Sequence, residues 1–428
     1  MTNNTLKVVK NPSLLTIGIA ESISGIGDWI TMLAIFAILV FRGGGGVTQS
    51  SGVFLCGLVP TLVLSPFAGA LCDRFDRKKL MILSQIVSGV VVSGLIFANN
   101  IYLIYALLAL QAASMSVMTP ARQSSIPLLV APEDLTTANA FLTQLSSLVK
   151  IFAPMLAGLI LSLVSPHTAI ILDVISFALS ALMLTRLKAL PPIKRQEAVR
   201  NPLIVAPDLR TWFASTFTQN PFWKTMKETV SLQMLFLAGF FSIFVIVGFD
   251  VLAAVFFRDT LKETESFYGL AIGLVGVGSL LSTLFLMLKK RSPRPWQDAV
   301  AGIALLSIIP LSLTLASSIH KAELARIVTL AACFVGGMGN GLLHVQISTL
   351  LQSFTPSHLL GEASGLLQST MVTGQLLGTL LTPLLVPGVL STGIFCLISF
   401  IALSVLVTVL VVQLSRNPEQ FSLPTQEA

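Results

Sequence analysis

Residues Ser51 to Ala68 carry no charge, and a second long apolar run begins at Leu80. Between them the positions 73–79 hold six charged residues: Asp73, Arg74, Asp76, Arg77, Lys78 and Lys79. A helix of about 20 apolar residues crosses the hydrocarbon core of a bilayer. A dense, mostly basic cluster between two such runs has the pattern of a tight cytoplasmic turn. The chain is 54% hydrophobic and 11% charged, with mean hydropathy +0.87. Soluble domains carry about 25% charged residues, so this much apolar surface cannot be hidden inside a water-soluble core. A bilayer leaves no water to satisfy the backbone, which restricts spanning structures to helices or a closed barrel. The apolar runs are unbroken rather than alternating, and that favours helices.

Read in order, the apolar runs predict twelve spans: 14–41, 51–72, 80–98, 101–119, 139–164, 167–187, 230–257, 268–288, 299–318, 327–354, 363–385 and 390–414. The fourth is expected to stop at Pro120, because proline cannot continue a helix interior. The first is too long for a cleavable leader and is expected to insert and stay. Residues 188–228 differ from the rest. With Arg186 they hold eight basic residues and five prolines, and Leu209, Trp212, Phe213, Thr216 and Phe217 fall on one helical stripe behind Asp208. That stripe predicts a short helix lying on the inner leaflet. The organisation expected is a six-helix bundle over 1–187, a cytoplasmic linker over 188–228 and a second six-helix bundle over 229–428.

Twelve spans put both termini on one side. With the termini inside, inner segments hold 20 of the 26 lysines and arginines and outer loops hold five, with Lys150 inside the membrane. This asymmetry orients the chain with both termini cytoplasmic. The net charge of +7 is therefore read as topology and not as nucleic-acid binding. Cys56, Cys72, Cys333 and Cys396 all lie in or at the ends of apolar runs, without metal-ligand spacing or a disulfide framework. No nucleophile–base pair, metal cluster or phosphate loop is present in the sequence, so an enzyme, a cofactor or direct use of ATP is not expected.

The turn at 69–80 resembles the signature loop of the major facilitator superfamily, Gly-x-Leu-x-Asp-Arg-x-Gly-Arg-Lys. Gly69, Leu71, Asp73, Arg74, Arg77 and Lys78 match, and Asp76 stands where the pattern has Gly. The resemblance implies twelve helices in two parallel bundles, with Gly69, Asp73, Arg74, Arg77 and Lys78 as a cytoplasmic latch. Asp73 sits where a carboxylate can cap a helix or pair with an arginine. Gly27-Asp-Trp29, Pro120-Ala-Arg122, Glu133-Asp-Leu with Ala138-Asn139, and Gly337-Met-Gly-Asn-Gly341 are similar to the bacterial branch of enterobactin exporters and macrolide efflux proteins. Ala153-Pro-Met-Leu-Ala-Gly158 resembles the Gly-Pro-x-x-Gly-Gly element of facilitator antiporters, with two glycines replaced by alanine. Many proton-coupled exporters of the family carry Arg three residues before a Gln in mid-helix 4, whereas Gln111 is preceded there by Leu108.

Ionisable residues within a membrane span are costly and mark function or pairing. Glu21, Ser24 and Asp28 share one stripe (i, i+3, i+7) of the first span, the polar face expected to line a cavity. Asp28 and Glu21, with Lys150 at similar depth in the fifth span, are candidates for proton coupling. A structural ion pair between Asp28 and Lys150 is the other reading. Asp173 is assigned a structural role, because the resemblance makes the sixth span peripheral. Ser24, Asp250, His344 and Gln346 are candidates for the substrate cavity, with packing roles as the alternative for the last two. The function expected is proton-driven export of a small amphiphilic molecule, a drug or siderophore, by a monomeric carrier in a bacterial inner membrane. The alternatives are an uptake carrier, a lysophospholipid flippase on the same fold, or a non-transporting scaffold.

Overall fold

The computed structural model describes residues 11–131, 134–190, 226, 229–288, 294–316, 318–319, 321–355, 360–386 and 390–421. Among the described residues there are helices and turns and no strand. Helix α1, Pro12–Phe36, starts at Asn11, whose side chain accepts from the backbone N–H of Ser13 at 3.0 Å and Leu14 at 3.2 Å. That cap satisfies two of the amides a helix start leaves open, and Pro12 loses nothing there because its position needs no donor. The helix runs on through one π-helical turn, Ala37–Arg42. The first half continues with α2 Val47–Arg74, α3 Arg77–Leu95, α4 Ile101–Met115, α5 Met118–Leu129, α6 Leu135–Leu163 and α7 Pro166–Thr185. The second half holds α8 Val230–Asp259, α9 Glu265–Leu288, α10 Pro295–Leu306, α11 Ile308–Ala316, α12 Ala322–Phe354, α13 Leu360–Leu385, α14 Thr392–Arg416 and the short α15 Pro418–Phe421.

Eleven spans, with α4–α5 and α10–α11 each forming one, are long and apolar enough to cross a membrane among the described residues. Helix α13, with 26 residues, is more polar but has length for a twelfth, about 39 Å at 1.5 Å per residue. The protein is an all-α membrane protein of twelve spans. Large apolar side chains on the outer surface, among them Val90 and Leu163, are exposed, as a lipid-facing surface requires.

One local expectation changes. Pro120 does not end the fourth span. The chain breaks at Ser116–Val117, and Pro120 lies in the first turn of α5, where a missing N–H costs no hydrogen bond. At the 69–80 turn Asp76 caps α3: its carboxylate accepts from the N–H of Lys78 at 2.9 Å and Lys79 at 3.3 Å. The linker helix expected at 208–217 lies outside the described residues, as do the surroundings of Gly69 and the side chain of Asp73.

Contacts divide the chain into two units, Met1–Ile193 with Val251–Gly276 and Lys194–Asp250 with Val277–Ala428. In the first, α1 packs on α6 and α7, α3 on α4 and α7, and α2 on α4. A buried cluster including Ile17, Met81, Met118 and Leu184 joins α1, α3, α5 and α7 near the 69–80 turn. The α9 segment of this unit approaches α6 through glycines. A Cβ on Gly269 would lie 2.6 Å from Gly158 Cα and 2.8 Å from the Pro154 carbonyl. Small residues permit such crossings where lipid supplies no hydrophobic drive for helix association. In the second unit α12 packs on α10, where a Cβ on Gly302 would meet the Gly339 carbonyl at 2.9 Å, and α14 packs on α10 and α11.

Candidate functional site

The polar stripe of α1 opens into a cavity of about 230 Å³ in the first unit. Glu21, Ser24 and Asp28 line it from α1, and Ser146 and Lys150 from α6. Trp29, Met115, Leu142, Leu145 and Val149 supply apolar walls. Residues of both helices meet there because Gly18 and Gly25 face α6 at Leu145 and Val149. Four residues named from sequence thus converge: Glu21, Ser24, Asp28 and Lys150.

Their partners differ from the pairing considered above. Asp28 Oδ1 accepts from Gln111 Nε2 of α4 at 2.7 Å, and among the described residues it forms no ion pair with Lys150. Glu21 pairs with Arg122 of α5, Nε to Oε2 3.4 Å, with both side chains largely buried. The buried Arg122 Nε makes no hydrogen bond among the described residues. Ser24 Oγ accepts from Gln85 Nε2 of α3 at 3.2 Å. The cavity is therefore tied to α3, α4 and α5 through amides and a guanidinium. Arg122, Gln85 and Gln111 carry contacts that no single-residue signal in the sequence announced.

Behind α1, Asp173 of α7 is fully buried. Its carboxylate accepts from Thr31 Oγ1 at 2.5 Å and from Ser176 Oγ at 3.0 Å. Gly27 faces it, and a Cβ there would occupy the space of the carboxylate and the Ser176 hydroxyl.

At the α2–α3 turn, Arg77 is buried and donates through Nε to Ser124 Oγ of α5 at 2.8 Å. Lys78 Nζ donates to the Thr185 carbonyl at 2.7 Å and the Leu187 carbonyl at 2.6 Å, at the end of α7. A cation is favourable beside the open carbonyls of a helix C-terminus. Arg74 is exposed.

At the opposite end of the same unit, Arg258 of α8 donates to the Val40 carbonyl and, at 2.7 Å, to the Gly45 carbonyl. Arg42 pairs with Glu265 of α9 at 2.8 Å, and Ser50 Oγ donates to the Val251 carbonyl at 2.6 Å. Phe36, Phe257 and Tyr268 pack as an aromatic cluster beneath these bonds.

The remaining sequence candidates lie in the second unit. Asp250 is half-buried on α8 near Cys333 of α12. Gln346 is buried and donates to Asp298 Oδ2 of α10 at 3.2 Å. His344 is exposed on α12.

The family model for the Major Facilitator Superfamily matches residues 17–379. The uncharacterised MFS-type transporter YfiS of Bacillus subtilis (strain 168) is 24% identical over 365 residues, covering 85% of this chain and 84% of that protein. Macrolide efflux protein A of Streptococcus pyogenes is 28% identical over 172 residues, 39% of this chain and 42% of that protein. A solved structure of a bacterial homologue of the iron transporter ferroportin, in an inward-facing state, superimposes with TM-score 0.67. It is 18% identical and covers 94% of this chain and 98% of that one. At that identity the likeness concerns the fold alone.

Proposed function

The chain belongs to the Major Facilitator Superfamily, and from that premise we propose that it is a proton-driven exporter of small amphiphilic molecules. The observation that carries this reading is the cavity itself. It sets two carboxylates, Glu21 and Asp28, and one cation, Lys150, against apolar walls that include Trp29 and Met115. Apolar walls with few placed polar groups suit a drug-sized amphiphile. Carboxylates among apolar side chains suit proton exchange, since burial disfavours charge. Similarity to macrolide efflux protein A supports the outward direction.

In this reading Asp28 and Glu21 exchange the proton and Lys150 senses the change in charge. Glu21 releases Arg122 when protonated, because a neutral acid no longer holds the guanidinium. Ser24 belongs to the same cavity, and Asp250, His344 and Gln346 are substrate contacts within the second unit. The bundles over 1–187 and 229–428 act as the two moving bodies, joined by the linker over 188–228. Arg77 and Lys78, with Gly69, Asp73 and Arg74 alongside, form the latch that holds the cytoplasmic side. The carrier works as a monomer in the inner membrane with both termini in the cytoplasm, and it performs no covalent chemistry.

Direction is tested by accumulation of a fluorescent amphiphile, and of a labelled macrolide, in energised cells expressing the chain. Export predicts lower accumulation than in control cells and its restoration by a protonophore. Higher accumulation in energised cells would contradict export and favour uptake.

A further inference from the structure

We propose that Asp173 is a proton-holding carboxylate of this carrier, set among buried hydroxyl and amide groups of α1, α3 and α7. The proposal rests on the proton-driven reading above and extends it to a second site. Gly27 and Thr31 lie on a face of α1 different from the one that meets the cavity through Gly18, Gly25 and Trp29. Asp173 is therefore not part of the cavity wall.

Three features of the surroundings support the role. First, no cation meets Asp173: among the described residues its contacts are the hydroxyls of Thr31 and Ser176. A buried carboxylate without a cation is strongly disfavoured as an anion. A hydroxyl can donate to the ionised acid and accept from the neutral one, so this pair of partners serves both protonation states. Second, the sequence keeps room for the carboxyl, because the residue of α1 that faces it has no side chain.

Third, the packed helices α7 and α3 carry further buried polar groups. Asp173, Ser176 and Ser180 share one stripe of α7, and Gln85 and Ser88 lie a turn apart on α3, which packs on α7. Gln85 Oε1, Ser88 Oγ and Ser180 Oγ are buried and have no hydrogen-bond partner among the described residues. Each such atom costs about 1–3 kcal/mol if left unsatisfied. Three in one interface are tolerable where internal water bridges them. The Gln85 amide donates to Ser24 Oγ, a residue of the cavity lining.

The helices packed on α7 present few charges. From α1 come Glu21 and Asp28, the latter within electrostatic reach of Asp173. From α6 comes Lys150, which lines the cavity. Helix α3 carries Arg77, Lys78 and Lys79 at its start and no charge along its length. Protonation changes at Asp173 are therefore felt chiefly by Asp28.

The test is an infrared difference titration of the full-length protein in a lipid bilayer, which reads the carbonyl stretch of protonated carboxyl groups. The wild type should show a buried carboxyl band that appears and disappears across the titration. Asp173→Asn should remove it, and Asp28→Asn should shift it without removing it. Thr31→Val keeps a similar side-chain volume and removes one hydroxyl, so it should move the band to higher frequency. A band unaffected by Asp173→Asn and Thr31→Val, or one that never responds to pH, would overturn the proposal. The spectrum reads the bound proton and not transport. A titrating Asp173 band in a protein that moves substrate without proton flux would remove the driving force proposed above and leave the proton site standing.

Discussion

A methyl group on Gly27 would share space with the Asp173 carboxylate and the Ser176 hydroxyl. Overpacking of this kind costs about 1–3 kcal/mol. Gly27→Ala should therefore lower the thermal midpoint of the purified protein, while Gly57→Ala, with open space around it, should leave it unchanged. Equal midpoints for the two variants would contradict the packing of α1 on α7. A second residue-scale outcome concerns Asp76. Removing a helix cap costs about 1 kcal/mol, so Asp76→Ala should destabilise and Asp76→Asn should nearly restore the wild type, since an amide oxygen can still accept from Lys78 and Lys79. Differential scanning fluorimetry of the three proteins reads the order directly. The sequence signals at this scale were uneven. The i, i+3, i+7 spacing made the Glu21–Ser24–Asp28 stripe legible. Arg122 stands in the sequence only within the motif Pro120-Ala-Arg122, and helix α5 carries it to Glu21. Asp76 read as a departure from a motif, yet it caps α3.

Among elements, α1 ends in a π-helical turn, Ala37–Arg42, and Arg258 donates to the carbonyl of Val40 within it and of Gly45 just after it. A hydrogen bond involving a charged group contributes about 1.5–3 kcal/mol. The Arg42–Glu265 pair has its arginine half-exposed and contributes at most about 1 kcal/mol. Arg258→Gln should therefore speed amide hydrogen exchange across residues 37–46 by at least tenfold, and Glu265→Gln should change it little. The reverse order would show that the ion pair, not the guanidinium–carbonyl contact, holds this end. Apart from the fourth span, which runs on to Leu129, helix ends were legible to within about five residues, because runs of apolar side chains fix them. The break at Ser116–Val117 was not legible, because no proline or glycine stands at it, and nearby Pro120 is harmless in a first turn.

For the whole molecule, membership of the facilitator superfamily and twelve spans were readable from apolar runs and one basic turn. The convergence of α1 and α6 on a cavity was readable only in part, because it depends on which face of α6 meets Gly18 and Gly25. The central claim is that substrate leaves as protons enter, with Asp28 as an exchanging group. It is tested most directly in proteoliposomes carrying an internal pH dye, with a panel of amphiphilic drugs and siderophores added to the wild type and to Asp28→Asn. The account predicts a substrate-triggered proton flux in the wild type that is lost in the variant. Substrate movement without proton flux, or an undiminished flux in Asp28→Asn, would contradict it.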